Sequence, residues 1–158
     1  LDFEEGFSEK PYHCSNGYPT VGFGMRIGPY ASPLSNYTFT MPRTAAEVWT
    51  RCYLDRMTNE IFSSCPRTAN ALKALAAAAG SGIYSDPRCC VLLSMAYQMG
   101  EAGIEDFTNT LKFMEKGDYT KAAVNMLLSK WARLDSPNRA DRHAKQMQTG
   151  VWAPEYKP

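Results

Sequence analysis

A β-hairpin is predicted by the segment YHCSNGYPTVGFG, residues 12–24. Its Asn16-Gly17 pair is a strong hairpin signal. Aromatic and β-branched residues, which favour strands, flank this pair on both sides. Five glycines and five prolines fall within residues 1–42. We therefore expect short strands and turns throughout this first part of the chain.

After Pro42 the hydrophobic pattern becomes helical. Thr44-Ala45-Ala46-Glu47 fits a capping box, and apolar residues follow at roughly helical spacing. These features predict a helix over residues 43–63. Capping residues, glycines and prolines delimit five further predicted helices, at residues 68–79, 87–98, 108–116, 118–130 and 137–148.

Together these elements predict a single α+β domain. A small antiparallel sheet lobe is expected over residues 1–42, a long connecting helix over residues 43–63, and a helical lobe over residues 64–158. Ligands usually bind in clefts between lobes, so we expect a cleft here and the functional site within it.

The composition excludes several classes of protein. Of the 158 residues, 44% are hydrophobic and 21% are charged, which excludes wholesale disorder. Lys and Arg number 17, and Asp and Glu number 16, so the formal net charge is +1. A nucleic-acid-binding domain usually has a basic excess, so no nucleic acid is expected as a partner. No apolar run approaches the roughly 20 residues of a membrane helix, so no membrane span is expected.

The five cysteines are an odd number, so at least one thiol stays free or pairs with another chain. We expect four of them to be ordinary buried residues, because a free cysteine behaves as a small hydrophobe. Cys89-Cys90 is expected to pack within a helix, since adjacent cysteines rarely meet disulfide geometry. No spacing of cysteine and histidine matches a metal site, and neither a metal nor another cofactor is expected.

Several segments resemble, in the same order along the chain, those of phage-type lysozymes, glycoside hydrolase family 24. The active-site region of that family is similar to EG (residues 5–6), PY (11–12) and NGYPTVGFG (16–24). The later matching segments are YQMGEAG (97–103), FTNTL (107–111), AAVN (122–125), SKW (129–131), SPNRADR (136–142) and TGVW (149–152). The resemblance covers most of the chain apart from about residues 26–43 and 63–86. Such a collinear set is far more specific than a single glycine motif.

The resemblance implies a lysozyme-like fold and a muramidase that hydrolyses the β-1,4 bond between N-acetylmuramic acid and N-acetylglucosamine in peptidoglycan. By matching position, Glu5 takes the place of the family's general acid, and Thr20 that of the polar residue near the attacking water. Glycoside hydrolysis needs a protonated carboxyl group for the leaving oxygen, together with a second group that activates water or stabilises the oxocarbenium-like state. Glu5 suits the first of these roles.

Further site residues follow from the same resemblance. Four of them fall where the family contacts saccharide: Arg26, Tyr97, Thr110 and Asn125. Arg139 matches an arginine that the family places beside the catalytic glutamate. We expect Arg139 to orient the Glu5 carboxyl group as a positioning residue.

Three aromatic residues receive a structural interpretation instead. Trp131 and Trp152 are expected to anchor the core, because large aromatic side chains dominate burial in small domains. His143, near the end of the last predicted helix, is expected on the surface.

Cys14 departs from the pattern of the family that the chain resembles, in which most members have aspartate at this position, although some have cysteine. A thiol has a pKa of about 8.5, so only a few per cent is thiolate at neutral pH unless the site lowers that pKa. His13 is not expected to help, because successive strand residues point to opposite faces. Two interpretations stay open: Cys14 replaces the carboxylate as base or nucleophile, or it occupies the position passively.

Three alternatives to a hydrolase remain. The first is a lysozyme-like module that binds glycan strands without cutting them. The second is a lytic transglycosylase, in which the sugar attacks itself and leaves an anhydro product. A cysteine hydrolase built on Cys14 and His143 is the third, although nothing in the sequence supports their proximity. Glycan strands of peptidoglycan are the partner in the first two alternatives, as in the hydrolase.

The resemblance also implies a location. A protein of this kind is made in the cytoplasm of a bacterial host and acts in the periplasm or cell wall. Two origins stay open, a free endolysin or a domain of a larger tail- or virion-associated phage protein, and the start at Leu1 rather than Met favours the second. Its near-neutral charge gives weak steering towards an anionic wall, which favours tethered delivery. The isolated domain is expected to be a monomer.

Overall fold

The computed structural model describes residues 2–156, which form mostly helices and one small sheet. The sheet has three antiparallel strands in the order β1-β2-β3. The predicted α+β class is therefore confirmed. The chain divides into two compact units, one ending at Asp55 and the other beginning at Arg56.

The sheet unit begins with a short helix and the three strands. Their bounds are α1 Asp2–Glu5, β1 Ser8–His13, β2 Pro19–Gly22 and β3 Met25–Arg26. Tyr12 on β1 lies opposite Thr20 on β2, and Thr20 lies opposite Arg26 on β3. This register sets three side chains in a row across the sheet.

A tight turn joins β1 to β2, as the Asn16-Gly17 pair predicts. The Gly17 amide donates to the carbonyl oxygen of Cys14 at 2.8 Å, and the Cys14 amide donates to that of Tyr18 at 3.0 Å. Gly17 has a φ of 77°, in the left-handed region that favours glycine. Cys14 thus lies at the base of the turn, one residue beyond β1, rather than on the strand itself.

The sheet packs on the beginning of the long helix. Val21, Phe23 and Met25 are buried together with Ala46. A Cβ atom at Gly22 would approach the Ala46 Cβ to 3.1 Å, so a glycine allows the close packing of strand and helix. The core of this unit therefore lies on one face of the sheet, under the first turns of the helix.

Six α-helices follow the sheet. Their bounds are α2 Arg43–Ser64, α3 Pro66–Ala79, α4 Pro87–Glu105, α5 Thr108–Glu115, α6 Tyr119–Leu127 and α7 Pro137–Thr149. A π-helical segment covers Trp131–Asp135, and 3₁₀ turns cover Leu34–Asn36 and Pro154–Tyr156. The predicted helix over residues 43–63 is confirmed, and it begins at Arg43 as expected. Thr44 therefore lies inside its first turn, and the predicted capping box is wrong.

Capping residues delimit the other helices much as the sequence predicts. The Asp86 carboxylate accepts from the Cys89 amide at 2.8 Å at the start of α4. Asp118 accepts from the Lys121 amide at 3.1 Å at the start of α6. Gly100 interrupts α4 with a φ of 79° and a ψ of 164°, at the point where the sequence predicts the end of a helix.

The helical unit buries one apolar core between its helices. Its largest buried side chains are Met57, Ile61, Leu72, Leu75, Leu92, Met95, Ile104, Leu111, Met114, Met126 and Met147. Trp131 is buried as predicted, whereas Trp152 is 38% exposed and anchors no core. His143 is 2% exposed, so its predicted surface position is wrong.

The cysteines are less uniformly buried than predicted. All five are free thiols, but only Cys65 and Cys89 are buried. Cys14 and Cys90 are half-buried, and Cys52 is exposed. Cys89-Cys90 lies within α4, which confirms its helical setting. Among residues 2–156, no helix is long and apolar enough to cross a membrane.

Candidate active site

Glu5 occupies the end of α1, directly before the chain turns into β1. Gly6 makes that turn possible with a φ of 65°. A Cβ atom at Gly24 would lie 3.3 Å from Oε2 of Glu5, and Gly24 itself has a φ of 80°. The absence of a side chain at Gly24 therefore leaves space beside the carboxylate. The Glu5 side chain also lines a shallow, open pocket together with Phe7 and Tyr12.

Tyr12 connects Glu5 to the hairpin turn. Burial raises the pKa of the Tyr12 phenol, and the negative charges of Cys14 and Glu5 raise it further. Both charges therefore act on the same hydroxyl group. Tyr12 is also the direct cross-strand partner of Thr20. The sheet unit thus gathers Glu5, Cys14 and Thr20 around one tyrosine.

The surroundings of Cys14 stabilise its thiolate. Burial by itself raises the pKa of the thiol. Hydrogen bonds from the Tyr18 backbone, the Thr20 side chain and the Asn16 backbone outweigh that effect, so the pKa of the Cys14 thiol lies below its ordinary value. A thiolate at this position can accept a proton or attack an electrophilic carbon.

Thr20 is buried, and its hydroxyl group donates to the Tyr18 carbonyl oxygen at 2.9 Å. The same hydroxyl is also a hydrogen-bonding partner of the Cys14 thiolate. A hydroxyl group has one proton and two acceptor lone pairs, so it cannot donate to both at once. It can turn between the Tyr18 carbonyl oxygen and the thiolate.

Arg26 lies on β3 beside Thr20. Its guanidinium carbon is 3.6 Å from the centre of the Tyr18 ring, a close cation–π contact. Its Nε donates to the Gly28 carbonyl oxygen at 3.0 Å. The side chain is exposed yet fixed by these two contacts.

The other predicted saccharide contacts lie in the helical unit. Thr110 on α5 donates its hydroxyl proton to Oδ1 of Asn125 on α6 at 2.8 Å. The structure therefore brings these two residues together, and the bond fixes the Asn125 amide so that its nitrogen can donate elsewhere. Tyr97 lies on α4 and is half-buried.

Arg139 is buried on α7 and contacts α4. Its Nη2 donates to the Ser94 carbonyl oxygen at 3.2 Å and to the Ser94 hydroxyl oxygen at 2.8 Å. The same hydroxyl group lies 2.9 Å from Nε2 of His143, and Nδ1 of that ring lies 3.2 Å from the Tyr156 hydroxyl. The guanidinium group is thus held by a continuous, buried polar network.

No group of three or more potential metal ligands occurs within residues 2–156.

A model of the phage lysozyme family matches residues 2–141. The chain belongs to the phage lysozyme family. It is also 25% identical, over 163 aligned residues, to a protein of Dictyostelium discoideum named probable T4-type lysozyme 1. That alignment covers 96% of this chain and 92% of the relative.

Membership of the phage lysozyme family confirms the resemblance that the sequence segments indicate. It supports a lysozyme-like function directed at peptidoglycan. The individual roles of the site residues stay predictions at this level of identity.

Sequence reasoning missed two residues that organise the sheet unit of this member of the phage lysozyme family. Tyr12 lies within the electrostatic influence of both Glu5 and Cys14, and Tyr18 holds Arg26 and accepts from Thr20. The Asn16-Gly17 turn was the available signal, because the turn sets the register of β1 and β2, and that register pairs Tyr12 with Thr20. His143 was wrongly predicted on the surface. The available signal was its spacing, because it follows Arg139 by four residues and therefore lies on the same helix face.

Proposed function

We propose that this protein is a muramidase that hydrolyses the β-1,4 bond between N-acetylmuramic acid and N-acetylglucosamine in peptidoglycan. The observation that supports it best is the gathering of Glu5, Cys14 and Thr20 around Tyr12 in one unit of a phage lysozyme family member. A carboxyl group paired with a second ionisable group is the arrangement that glycoside hydrolysis requires.

In this mechanism Glu5 acts as the general acid. Its proton passes to the glycosidic oxygen while the bond between that oxygen and the anomeric carbon breaks. Positive charge develops on the sugar ring, and a nearby anion stabilises it. The open space beside Gly24 leaves room for the leaving oxygen to approach Oε2 of Glu5.

Cys14 supplies the second group in this proposal. Its hydrogen-bonded thiolate takes a proton from water that attacks the anomeric carbon, with Thr20 orienting that water. In the alternative route, the sulfur forms a bond to the anomeric carbon, and water then breaks that bond. In the first route Cys14 then releases its proton to solvent, and in either route a proton from solvent returns to Glu5 and resets the site. The lowered pKa of Cys14 favours an active role over a passive one.

The remaining predicted residues bind or position the substrate. Four of them contact saccharide: Arg26, Tyr97, Thr110 and Asn125. The hydrogen bond between Thr110 and Asn125 and the fixed guanidinium group of Arg26 support these roles. For Arg139 we propose the role of a positioning residue. We propose that the chain acts as one catalytic domain on glycan strands of the cell wall, either free or tethered to a larger phage protein.

Glu5→Gln tests the proposal directly. The amide keeps the shape of the side chain but has no proton to deliver, so hydrolysis should fall by at least about a hundredfold. Loss of turbidity of a cell-wall suspension measures the rate, and binding to purified glycan strands should persist. Glu9→Gln, on an exposed strand residue of the same unit, is the control and should retain the parent rate.

Two results would contradict the assignment. More than about a tenth of the parent rate in Glu5→Gln would remove Glu5 as the acid. Anhydro-muropeptides in the mass spectrum of the products, in place of reducing ends, would replace the hydrolase by a lytic transglycosylase.

A further inference from the structure

Tyr18, Arg26 and Tyr30 form a cluster at the edge of the hairpin, here called the Arg26 cluster. The Arg26 guanidinium group stacks on the Tyr18 ring at 3.6 Å, and the Tyr30 ring meets Tyr18 edge-on at a centroid distance of 5.6 Å. Arg26 is also the cross-strand partner of Thr20. The cluster therefore adjoins Thr20 and contains one of the proposed saccharide-binding residues.

The guanidinium group of Arg26 is fixed in place but has donors left over. Stacking on Tyr18 and the bond from Nε to the Gly28 carbonyl oxygen use its face and one N–H group. Within residues 2–156, no carboxylate forms an ion pair with it, and the side chain is exposed. The planar fork of N–H groups on its two terminal nitrogens matches a carboxylate in a bidentate contact. Because the side chain is already ordered, binding an anion costs it little conformational entropy.

Tyr30 is 68% exposed although the backbone around it is tied to the hairpin. The Ala31 amide donates to the Gly17 carbonyl oxygen at 3.0 Å, and His13 Nε2 donates to the Ser32 carbonyl oxygen at 2.9 Å. Any side chain at Gly17 would collide with the Tyr30 ring, since its Cβ would lie 2.8 Å from a ring carbon. Ala31 has a φ of 56°, which a residue other than glycine rarely adopts. The segment is thus held in a strained conformation that keeps an aromatic ring in solvent, as ligand-binding segments often are.

We propose that the Arg26 cluster binds a carboxylate-bearing saccharide of the peptidoglycan strand. The carboxylate pairs with Arg26, and the apolar C–H face of the sugar ring packs on Tyr30. This carboxylate comes either from the lactyl group of an unsubstituted muramic acid or from the peptide stem attached to it. The inference rests on the proposed function and extends it, because it makes the protein selective for anionic peptidoglycan over a neutral glycan of the same backbone.

Arg26 and Tyr30 are expected to strengthen the binding of different sets of ligands. Arg26 contributes only where the ligand has a carboxylate, because a neutral sugar offers its donors no charged partner. Tyr30 contributes to every pyranose ligand, because its contact is with the carbon framework. A merely structural role for Arg26 would alter binding of all ligands alike.

Calorimetric titrations on the Glu5→Gln protein test this without hydrolysis of the ligand. Three ligands of equal glycan length are compared: strands with peptide stems, strands stripped of stems by an amidase, and chito-oligosaccharide. Arg26→Gln should weaken binding of an acidic ligand about tenfold and leave chito-oligosaccharide unchanged. Loss with stem-bearing strands alone identifies the stem carboxylate, and loss with stripped strands alone identifies the lactyl carboxylate. Arg26→Lys should retain part of the preference, because it keeps the charge without the planar fork.

Tyr30→Ala should weaken binding of all three ligands about threefold, and Tyr30→Phe should restore it. Phe39→Ala and Arg51→Gln are the matched controls. Phe39 is another exposed aromatic residue, and Arg51 is another exposed arginine of the same unit. Both controls should bind like the parent, and thermal unfolding confirms that each variant is folded.

The inference is overturned if Arg26→Gln binds acidic ligands as tightly as Arg51→Gln does, or loses neutral and acidic ligands equally. If the Glu5→Gln protein binds none of the three ligands, the proposed function falls together with the inference. If the parent cuts no cell wall but charge-selective binding depends on Arg26, the hydrolase proposal falls and the binding site stands.

Discussion

Cys14 is the residue at which pH tests the chemistry most directly. Hydrogen bonds from Tyr18, Thr20 and Asn16 place the pKa of its thiol below 9.0 despite partial burial. If the thiolate does the work of the second group, activity should rise with pH as the thiol ionises, because only the thiolate accepts a proton or attacks carbon. The pH–rate profile of cell-wall lysis measures this rise. In Cys14→Asp the corresponding rise should move to the acidic range of a carboxylate.

The same prediction has a chemical control. Cys14→Asp should keep substantial activity, and Cys14→Ala should lose about a hundredfold or more. A thiol reagent should inhibit the parent but not Cys14→Asp, and reduction should reverse inhibition by mild oxidants. Equal activity of Cys14→Ala and the parent would make the thiol a bystander and leave water activation to Thr20.

His143 is the second residue whose protonation state follows from its neighbours. Arg139 can only donate, so the Ser94 hydroxyl oxygen accepts from it and has its own proton to give to Nε2 of His143. We therefore predict a neutral ring with its proton on Nδ1, which donates to the Tyr156 hydroxyl. Nitrogen NMR shifts distinguish the two tautomers.

The chain has two histidines, and the other, His13, is exposed, which makes assignment simple. Ser94→Ala should lower the free energy of unfolding by about 1–3 kcal/mol, because it leaves buried groups without their partner. His13→Gln is the control and should leave the His143 signals in place. A proton on Nε2 of His143 in the parent would contradict the predicted network.

At the scale of elements, local sequence signals predicted most of the fold. The Asn16-Gly17 turn and the Asp86 and Asp118 caps each depend on contacts within a few residues, and each prediction is confirmed. The capping box at Thr44 failed because the helix starts at Arg43, two residues before the start that a cap at Thr44 requires, a difference that local preferences do not resolve.

The predictions that failed depend on packing between elements. Nothing near His143 in the sequence indicates that Ser94, 49 residues earlier, provides its partner. The places of Glu5 and Thr20 could be predicted from a resemblance, but Tyr12 and Tyr18 matter only through strand register and ring stacking. Such contacts are fixed by tertiary structure, so the chain pattern alone could not supply them.

Glu105 joins the end of α4 to the beginning of α3. Its carboxylate accepts from the Arg67 and Thr68 amides at 3.0 and 2.9 Å and from the Thr68 hydroxyl at 2.7 Å. It thereby satisfies helix N-terminal amides that have no partner within α3. Glu105→Gln should lower the free energy of unfolding by about 1–2 kcal/mol, measured by denaturant titration at pH 7. Glu115→Gln, an exposed residue at the end of α5, is the control.

The effect of Glu105 should also depend on pH. Burial raises the pKa of Glu105, but the hydrogen bonds from Thr68 and Arg67 outweigh it, so the folded-state pKa lies below 4.5. A carboxylate whose pKa is lower in the folded than in the unfolded state stabilises the fold fully at pH values above its unfolded-state pKa. That stabilisation is lost as the pH falls through its folded-state pKa. The difference between parent and Glu105→Gln should therefore shrink below about pH 4. A difference that stayed constant down to pH 2 would rule out the charged cap.

At the scale of the whole molecule, the ionisable groups of the proposed chemistry are concentrated in the sheet unit. Glu5 and Cys14, together with the neutral hydroxyl group of Thr20, all precede β3, and the Arg26 cluster adjoins Thr20. The helical unit holds its polar network and most of the apolar core away from these groups in the sequence. Substitutions in that core should therefore act first on stability rather than on the pH dependence of the reaction.

The remaining four thiols differ from Cys14 in ways that set their reactivity. Burial, followed by the charge of Asp86, raises the pKa of Cys89 to about 12 and that of Cys90 to about 11. Burial, followed by the charge of Glu105, raises the pKa of Cys65. Cys52 is exposed on α2. Only thiolates react with alkylating reagents, so these environments predict a ranking across the molecule.

We predict that a brief pulse of iodoacetamide at pH 7 labels Cys14 first and Cys52 next, whereas Cys65, Cys89 and Cys90 react only after unfolding. Cys14 leads because its thiolate is hydrogen-bonded and half-exposed, and each unit by which pKa rises above pH lowers the thiolate fraction about tenfold. Peptide mass spectrometry after the pulse measures the order, and the same pulse in urea, where all five should react alike, is the control. Labelling of Cys14 no faster than that of Cys52 would show that its hydrogen bonds do not stabilise the thiolate, and the proposed catalytic role of the thiol would lose its physical basis.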